Sequence, residues 1–238
     1  MVSNLAVALT ELKQNVIAID ANLTTPNLGL HLGMHLAPRT LHDVLKGEVQ
    51  LNNAIYPHPL GFKILPSSMN IDSLRGVDAG KLPEVTLNLL GKADYILIDS
   101  SAGLGREAVS AIDAANEILI VTNPDLPSVA DALRVAKIAS SKNKEILGVV
   151  VNRVKREGHE LTAKEIEYAI GSPVLVEIPE DKNVSESIAS KMPIVGSDPN
   201  SPAAVEIRRL AHLICGELFK PKKPRFGIFR RLISWVSG

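Results

Sequence analysis

Tyr95-Ile96-Leu97-Ile98-Asp99-Ser100-Ser101-Ala102-Gly103-Leu104-Gly105 is the stretch that decides the fold. Its first positions are apolar without interruption, so a strand built from them needs cover on both faces. That is the situation of a strand inside a parallel sheet flanked by helices. The run closes on a carboxylate and passes straight into a loop rich in small residues, as a strand does where a site begins.

The same pattern recurs at Val16–Asp20, 62–66, 117–123, 146–152 and 174–178. Helical patterns lie between and around these runs, at 3–13, 82–90, 107–115, 128–140, 162–170, 184–190 and 203–218. Such alternation predicts an α/β fold of three layers with a mostly parallel sheet and right-handed crossovers. No internal repeat or low-complexity segment interrupts it.

Ligands of open parallel sheets gather beyond the carboxyl ends of the strands. Those ends are polar here: Asp20-Ala21-Asn22, Asp99-Ser100-Ser101, Asn123-Pro124-Asp125 and Asn152-Arg153. Asp20 and Asp99 are suited to a hydrated Mg²⁺ held against the phosphates of a nucleotide, because Mg²⁺ commonly takes one or two carboxylates and keeps waters. Each of them alone reads equally well as a turn or helix-capping residue.

With 238 residues, 45% hydrophobic and 22% charged, the chain has the composition of one large globular domain. The lone Cys215, inside a predicted helix, excludes a disulfide framework and an intramolecular Cys-x-x-Cys metal site. Neither a run of 18 apolar residues nor a cleavable leader occurs, so a cytoplasmic protein is expected. The six histidines, including the i, i+4 pair His31 and His35, are expected in loops or at the surface, since the pattern places no third metal ligand.

The zero net charge conceals a division. Residues 220–238 hold six of the 26 basic residues and no acid, which leaves the body with 20 basic and 26 acidic side chains. After a basic, Pro-rich linker at 220–225, residues 226–238 segregate on a helical wheel. Phe226, Ile228, Phe229, Leu232, Ile233, Trp235 and Val236 fill one half, and Gly227, Arg230, Arg231, Ser234 and Ser237 fall on the other. About a dozen residues make a helix of only ~18 Å, against ~30 Å of hydrocarbon, so it can lie in an anionic interface but cannot span it. A terminal helix docked on its own domain or on a partner protein is the alternative.

Taken together, the motifs resemble the MinD/ParA family of deviant Walker ATPases, closest to its MinD branch. They are Asn4-Leu5-Ala6-Val7-Ala8-Leu9, Ile19-Asp20-Ala21-Asn22 with Pro26-Asn27-Leu28, Leu41-His42-Asp43-Val44-Leu45, Ile96-Leu97-Ile98-Asp99 with Ala102-Gly103-Leu104-Gly105, Asn123-Pro124, Asn152-Arg153-Val154 and Ile178-Pro179-Glu180-Asp181. The resemblance implies a P-loop NTPase fold of the SIMIBI type with ATP and Mg²⁺ as ligands. It places Asp20 and Asp99 at the metal and Gly103 on the γ-phosphate side. Asn152, Arg153, Pro179 and Asp181 fall at the adenine. It makes residues 1–219 the ATPase domain and 226–238 the membrane-targeting helix. Residues 220–225 link them.

Two departures qualify the resemblance. A Gly-rich loop ending in Gly-Lys-Thr is absent, and with it the cradle for the β- and γ-phosphates, so the chain as written is expected to bind ATP weakly or not at all. The strand that precedes this loop in the resembled fold is central, and each backbone group left unpaired by its loss costs roughly 1–3 kcal/mol. Met1 is therefore expected to be an internal methionine with a short segment lost upstream. The second departure is Asn22, where many members carry an Asp; an amide cannot accept a proton but can orient a water, which implies slow hydrolysis. Asn22 as a plain turn residue stays open.

The resemblance further implies a homodimer formed on ATP binding. One tail binds membrane marginally, while two tails on one dimer can raise avidity by ~10² or more. The expected protein is thus a spatial-positioning switch at the inner face of the cell membrane, stimulated by an activating protein that the sequence does not identify. A nucleotide-free membrane adaptor is the alternative. The lack of a Cys pair disfavours an iron–sulfur carrier, and a body of net charge −6 offers no patch for specific nucleic-acid binding.

Overall fold

The computed structural model describes residues 1–219. The predicted linker at 220–225 and the membrane-facing residues Phe226, Ile228, Phe229, Arg230, Arg231, Leu232, Ile233, Trp235 and Val236 lie outside the described residues. In chain order the elements begin with α1 (Val2–Glu11), β1 (Val16–Asp20), α2 (Leu28–His31), α3 (Leu41–Lys46), β2 (Tyr56–Pro57), β3 (Lys63–Leu65), α4 (Leu82–Leu87), β4 (Tyr95–Asp99) and α5 (Arg106–Ala114). They continue with β5 (Glu117–Thr122), α6 (Leu126–Ser141), β6 (Glu145–Val154), α7 (Ala163–Ile170), β7 (Val174–Pro179), α8 (Lys182–Ala189), α9 (Ile194–Ser197) and α10 (Pro202–Ile214).

Every strand read from the sequence is present, β1 and β4 with the ends expected and the others with ends moved by one or two residues. The strands form two ladders. One has the order β2-β3-β1-β4, parallel except for the short antiparallel β2, and the other is the parallel set β5-β6-β7. No hydrogen-bonded ladder joins β4 to β5 among the described residues, so each ends its sheet. Both strands are apolar yet incompletely covered: β4 is half-buried along its whole length, and Val121 of β5 is 43% exposed.

Alternate side chains explain the consecutive apolar positions. Val16 and Ala18 of β1 enter one core and Ile17 and Ile19 another, and Val150 of β6 is likewise separated from Val149 and Val151. The first core joins Val16, Ala18 and Ile64 of one sheet to Val150, Val176 and Ile178 of the other beneath α1, α9 and α10. A shared core on one face thus makes a single unit of the two sheets. On the opposite face α3, α4 and α5 cover the first sheet and α6 and α7 cover the second, which completes three layers. Arg208 ties α10 to α1, donating from Nε to Glu11 Oε2 at 2.6 Å and from Nη2 to Glu11 Oε1 at 2.8 Å, with a further bond from Nη2 to the Val195 carbonyl at 2.7 Å.

Several local expectations change. The helix predicted to reach 218 ends at Ile214, because Gly216 turns the chain in the left-handed region at φ +69°. Cys215 therefore caps that helix instead of lying within it. His42 is buried within α3 instead of lying in a loop or at the surface, while His58 lies in the loop between β2 and β3 as expected but is buried, stacked on Phe62 with ring centroids 4.6 Å apart. Helix α2 ends at His31, so His31 and His35 do not share a helix face.

Candidate functional site

Parallel pairing of β1 with β4 sets Asp20 directly opposite Asp99, so two strand-end carboxylates stand side by side. Asp20 is fully buried. Its Oδ2 accepts the Leu28 N–H at 3.1 Å, while its Oδ1 is buried without any partner. Burial, and then the charge of Asp99, raise the Asp20 pKa from the ordinary 3.8 to about 7, opposed by the nearby backbone N–H groups of Gly29, Leu28 and Asn22, of which only that of Leu28 makes a hydrogen bond. Asp99 is also pushed upward by burial, with the Met1 α-amino group and His31 pulling the other way. The charge effect between Met1 and Asp99 puts the start of α1 near the Asp99 carboxylate.

For the protein alone this arrangement is unfavourable: adjacent acids repel and one oxygen is unsatisfied. A divalent cation would satisfy that oxygen and neutralise both charges, and the all-oxygen donor set suits Mg²⁺. The residues present fit the ion that the sequence reading places there.

The segment after β1 is gripped on several sides. Asn22 Oδ1 accepts both the N–H and the hydroxyl of Thr25 at 3.1 Å, so the oxygen of this amide serves its own turn. Glu107, in the first turn of α5, accepts the N–H groups of Leu23 at 3.1 Å and Thr24 at 3.4 Å together with the Thr24 hydroxyl. His42 donates from Nε2 to the Leu23 carbonyl at 3.2 Å and accepts the Ser68 N–H on Nδ1 at 3.1 Å, which defines a neutral imidazole with both nitrogens used. Burial lowers the pKa of His42, in keeping with that state. Ser67 completes the ring by donating to the Asp20 carbonyl at 2.7 Å.

Gly103 stands in the exposed loop between β4 and α5 at φ +84°, a conformation that favours glycine, with open space around it. On the second sheet the register pairs Val154 with Pro179, which brings Arg153 to Glu180 at 2.8 Å. Asn152 precedes them on β6. Both oxygens of Asp181 are engaged in capping, Oδ1 by the N–H of Asn183 and Oδ2 by that of Ala203. The predicted residues thus fall into two groups, Asp20 with Asp99 and the Asn22 turn, and Arg153 with the Pro179 loop; no hydrogen bond or ion pair joins the groups among the described residues. Glu107, His42 and Ser67 had no place in the sequence reading of the site. An acid in the first turn of a helix reads as a dipole partner, and no local signal marks a contact 84 residues away.

The model of the CobQ/CobB/MinD/ParA nucleotide-binding domain matches residues 1–194. The chain belongs to this family. It is similar to an uncharacterised ATP-binding protein of Methanocaldococcus jannaschii, 37% identical over 214 residues that cover 90% of this chain and 81% of the relative. It is also similar to the septum site-determining protein MinD of Thermotoga maritima, at 30% identity over 90% of this chain and 82% of that protein. Among solved structures, MinD of Pyrococcus horikoshii complexed with Mg-ADP superposes with a TM-score of 0.86 at 36% identity, covering 90% of this chain and 88% of its own. The MinD-like branch is supported, and the α/β fold is that of the MinD structures.

Proposed function

We propose that the protein is a MinD-like, ATP-dependent switch that positions other machinery at a membrane, with Mg-ATP seated at the carboxyl ends of β1 and β4. The observation that carries this reading is the register pair Asp20–Asp99 with its buried, unpartnered Oδ1. Bound there, Mg²⁺ would supply the charge that neutralises the phosphates. Asp20 and Asp99 hold the ion, and the α1 end near Asp99 faces the phosphates. Gly103 follows the γ-phosphate side, and Asn152, Arg153 and the Pro179–Asp181 loop hold the base. Asn22, whose oxygen is used by Thr25, has its Nδ2 to donate to a water; it orients without deprotonating, and hydrolysis is slow.

Residues 1–238 contain no Gly-rich loop ending in Gly-Lys-Thr, so in this reading tight ATP binding belongs to a form that carries one. ATP-driven homodimerisation then brings two cationic, apolar tails to one anionic surface at the inner face of the membrane, and an activating protein resets the switch. Titration calorimetry with Mg-ATP on the chain from Met1, and on one extended upstream with a Gly-rich loop, tests the site. Binding by the extended form, abolished by Asp20→Asn with Asp99→Asn, supports the switch. Binding by neither form overturns it in favour of a nucleotide-free adaptor.

A further inference from the structure

Leu23 is held at every group it offers. Its N–H goes to Glu107, its carbonyl to His42, and its side chain, 5% exposed, lies in the core under α3 and α4. Glu107 is only two residues beyond Gly105, where the exposed loop 100–105 enters α5. The carboxylate also takes both donors of Thr24. A single side chain therefore fastens the first turn of α5, which the loop after β4 enters, to the loop after β1. Through His42 and the Ser68 N–H, the fastening continues to the loop after β3.

We infer that Glu107 is a positioning residue that couples the 100–105 loop to the 22–25 segment, so that a change at Gly103 is transmitted to Asn22 as a shift of the turn. This rests on the proposed nucleotide site, because the two loops it joins carry Asp20 with Asn22 and Asp99 with Gly103. The physical basis is direct. Hydrogen bonds to a carboxylate are about twice as strong as neutral ones, and three converge here on one short side chain in the first turn of a helix. A rotation of that turn moves the acceptor, and Leu23 and Thr24 must follow it or lose their bonds. The remainder of the 22–25 segment is closed internally by the Asn22–Thr25 bonds, so it moves as a unit.

Amide hydrogen exchange on the full chain, without nucleotide, tests the coupling independently of ATP binding. Glu107→Ala is expected to speed exchange at Leu23 and Thr24 by about tenfold or more, the scale that loss of a charge-assisted bond supports. Glu107→Gln, isosteric and still an acceptor, falls between. Gly103→Ala, which strains the 100–105 loop, is expected to change exchange at 22–25 in the parent chain and to add nothing once Glu107→Ala is present. The inference is overturned if Glu107→Ala leaves those amides unchanged, or if the Gly103→Ala effect is absent or equal in both backgrounds. Failure of Mg-ATP to bind leaves this readout untouched, so the two ideas fail separately.

Discussion

Replacing Asp20 by Asn should make the protein more stable above neutral pH and alter how its stability responds to pH. The folded-state carboxyl titrates at about 7, whereas an ordinary one titrates at 3.8. Between those values the folded chain keeps a proton that the unfolded chain has released, so the free energy of unfolding falls as pH rises. The stabilisation tied to this proton is complete below the unfolded value and gone above the folded one. At 1.36 kcal/mol per pKa unit, the two-unit interval from pH 5 to 7 amounts to about 2.5 kcal/mol. Asp20 is fully buried, so solvent screening takes little from that figure. Asn retains an oxygen for the Leu28 N–H and carries no charge, so its curve should lack this component, while contributions from the histidines cancel in the comparison. Urea unfolding at pH 5, 6, 7 and 7.5 measures it by far-UV circular dichroism, since the only Trp is Trp235 near the end of the tail. The expected result is a stability gap in favour of the Asn variant that widens by about 2.5 kcal/mol over this range, and that narrows when Mg²⁺ is added. Parallel curves for the two proteins would refute the reasoning.

Other perturbations follow the same logic. Arg208→Ala should lower unfolding stability by about 2–3 kcal/mol, because it strips the bidentate partner from Glu11 and the donor from the Val195 carbonyl; chemical denaturation measures this. His42 is held neutral with a lowered pKa, so its contribution is complete above the ordinary 6.5 and is lost as pH falls; relative to His42→Gln, the parent should lose up to about 1.4 kcal/mol per pH unit below 6.5. Phe229→Asp combined with Leu232→Asp should release the protein from anionic vesicles while the thermal unfolding of the body stays unchanged. Co-sedimentation equal to that of the parent would exclude the tail as the anchor.

How much of this was legible in the sequence depends on whether the deciding contact is local. The alternation of β1, β4, β5, β6 and β7 with long helices was, because consecutive apolar residues and helical periodicity are local patterns. Four short elements were not: α2, α9 and β2 are too short to show a period, and α3 is marked only by the Thr40–Asp43 capping box and Gly47. The strand-end acids could be named from the sequence, yet their adjacency comes from β1–β4 pairing, which lies in the register. His42 was expected in a loop or at the surface because an isolated imidazole carries no local sign of burial. The pairing of its two nitrogens with Leu23 and Ser68 exists only after three loops meet. Glu107 belongs to the same class, and Asn22 shows the reverse, since its turn role was local and visible while its relation to a water is not.

Sedimentation with anionic vesicles, using a form that carries the Gly-rich loop, tests the central claim most directly. Mg-ATP should raise the bound fraction several-fold over Mg-ADP, as two tails acting together require, and Asp20→Asn with Asp99→Asn should remove the difference while leaving the tail intact. An equal bound fraction with ATP, with ADP and without nucleotide would contradict the account.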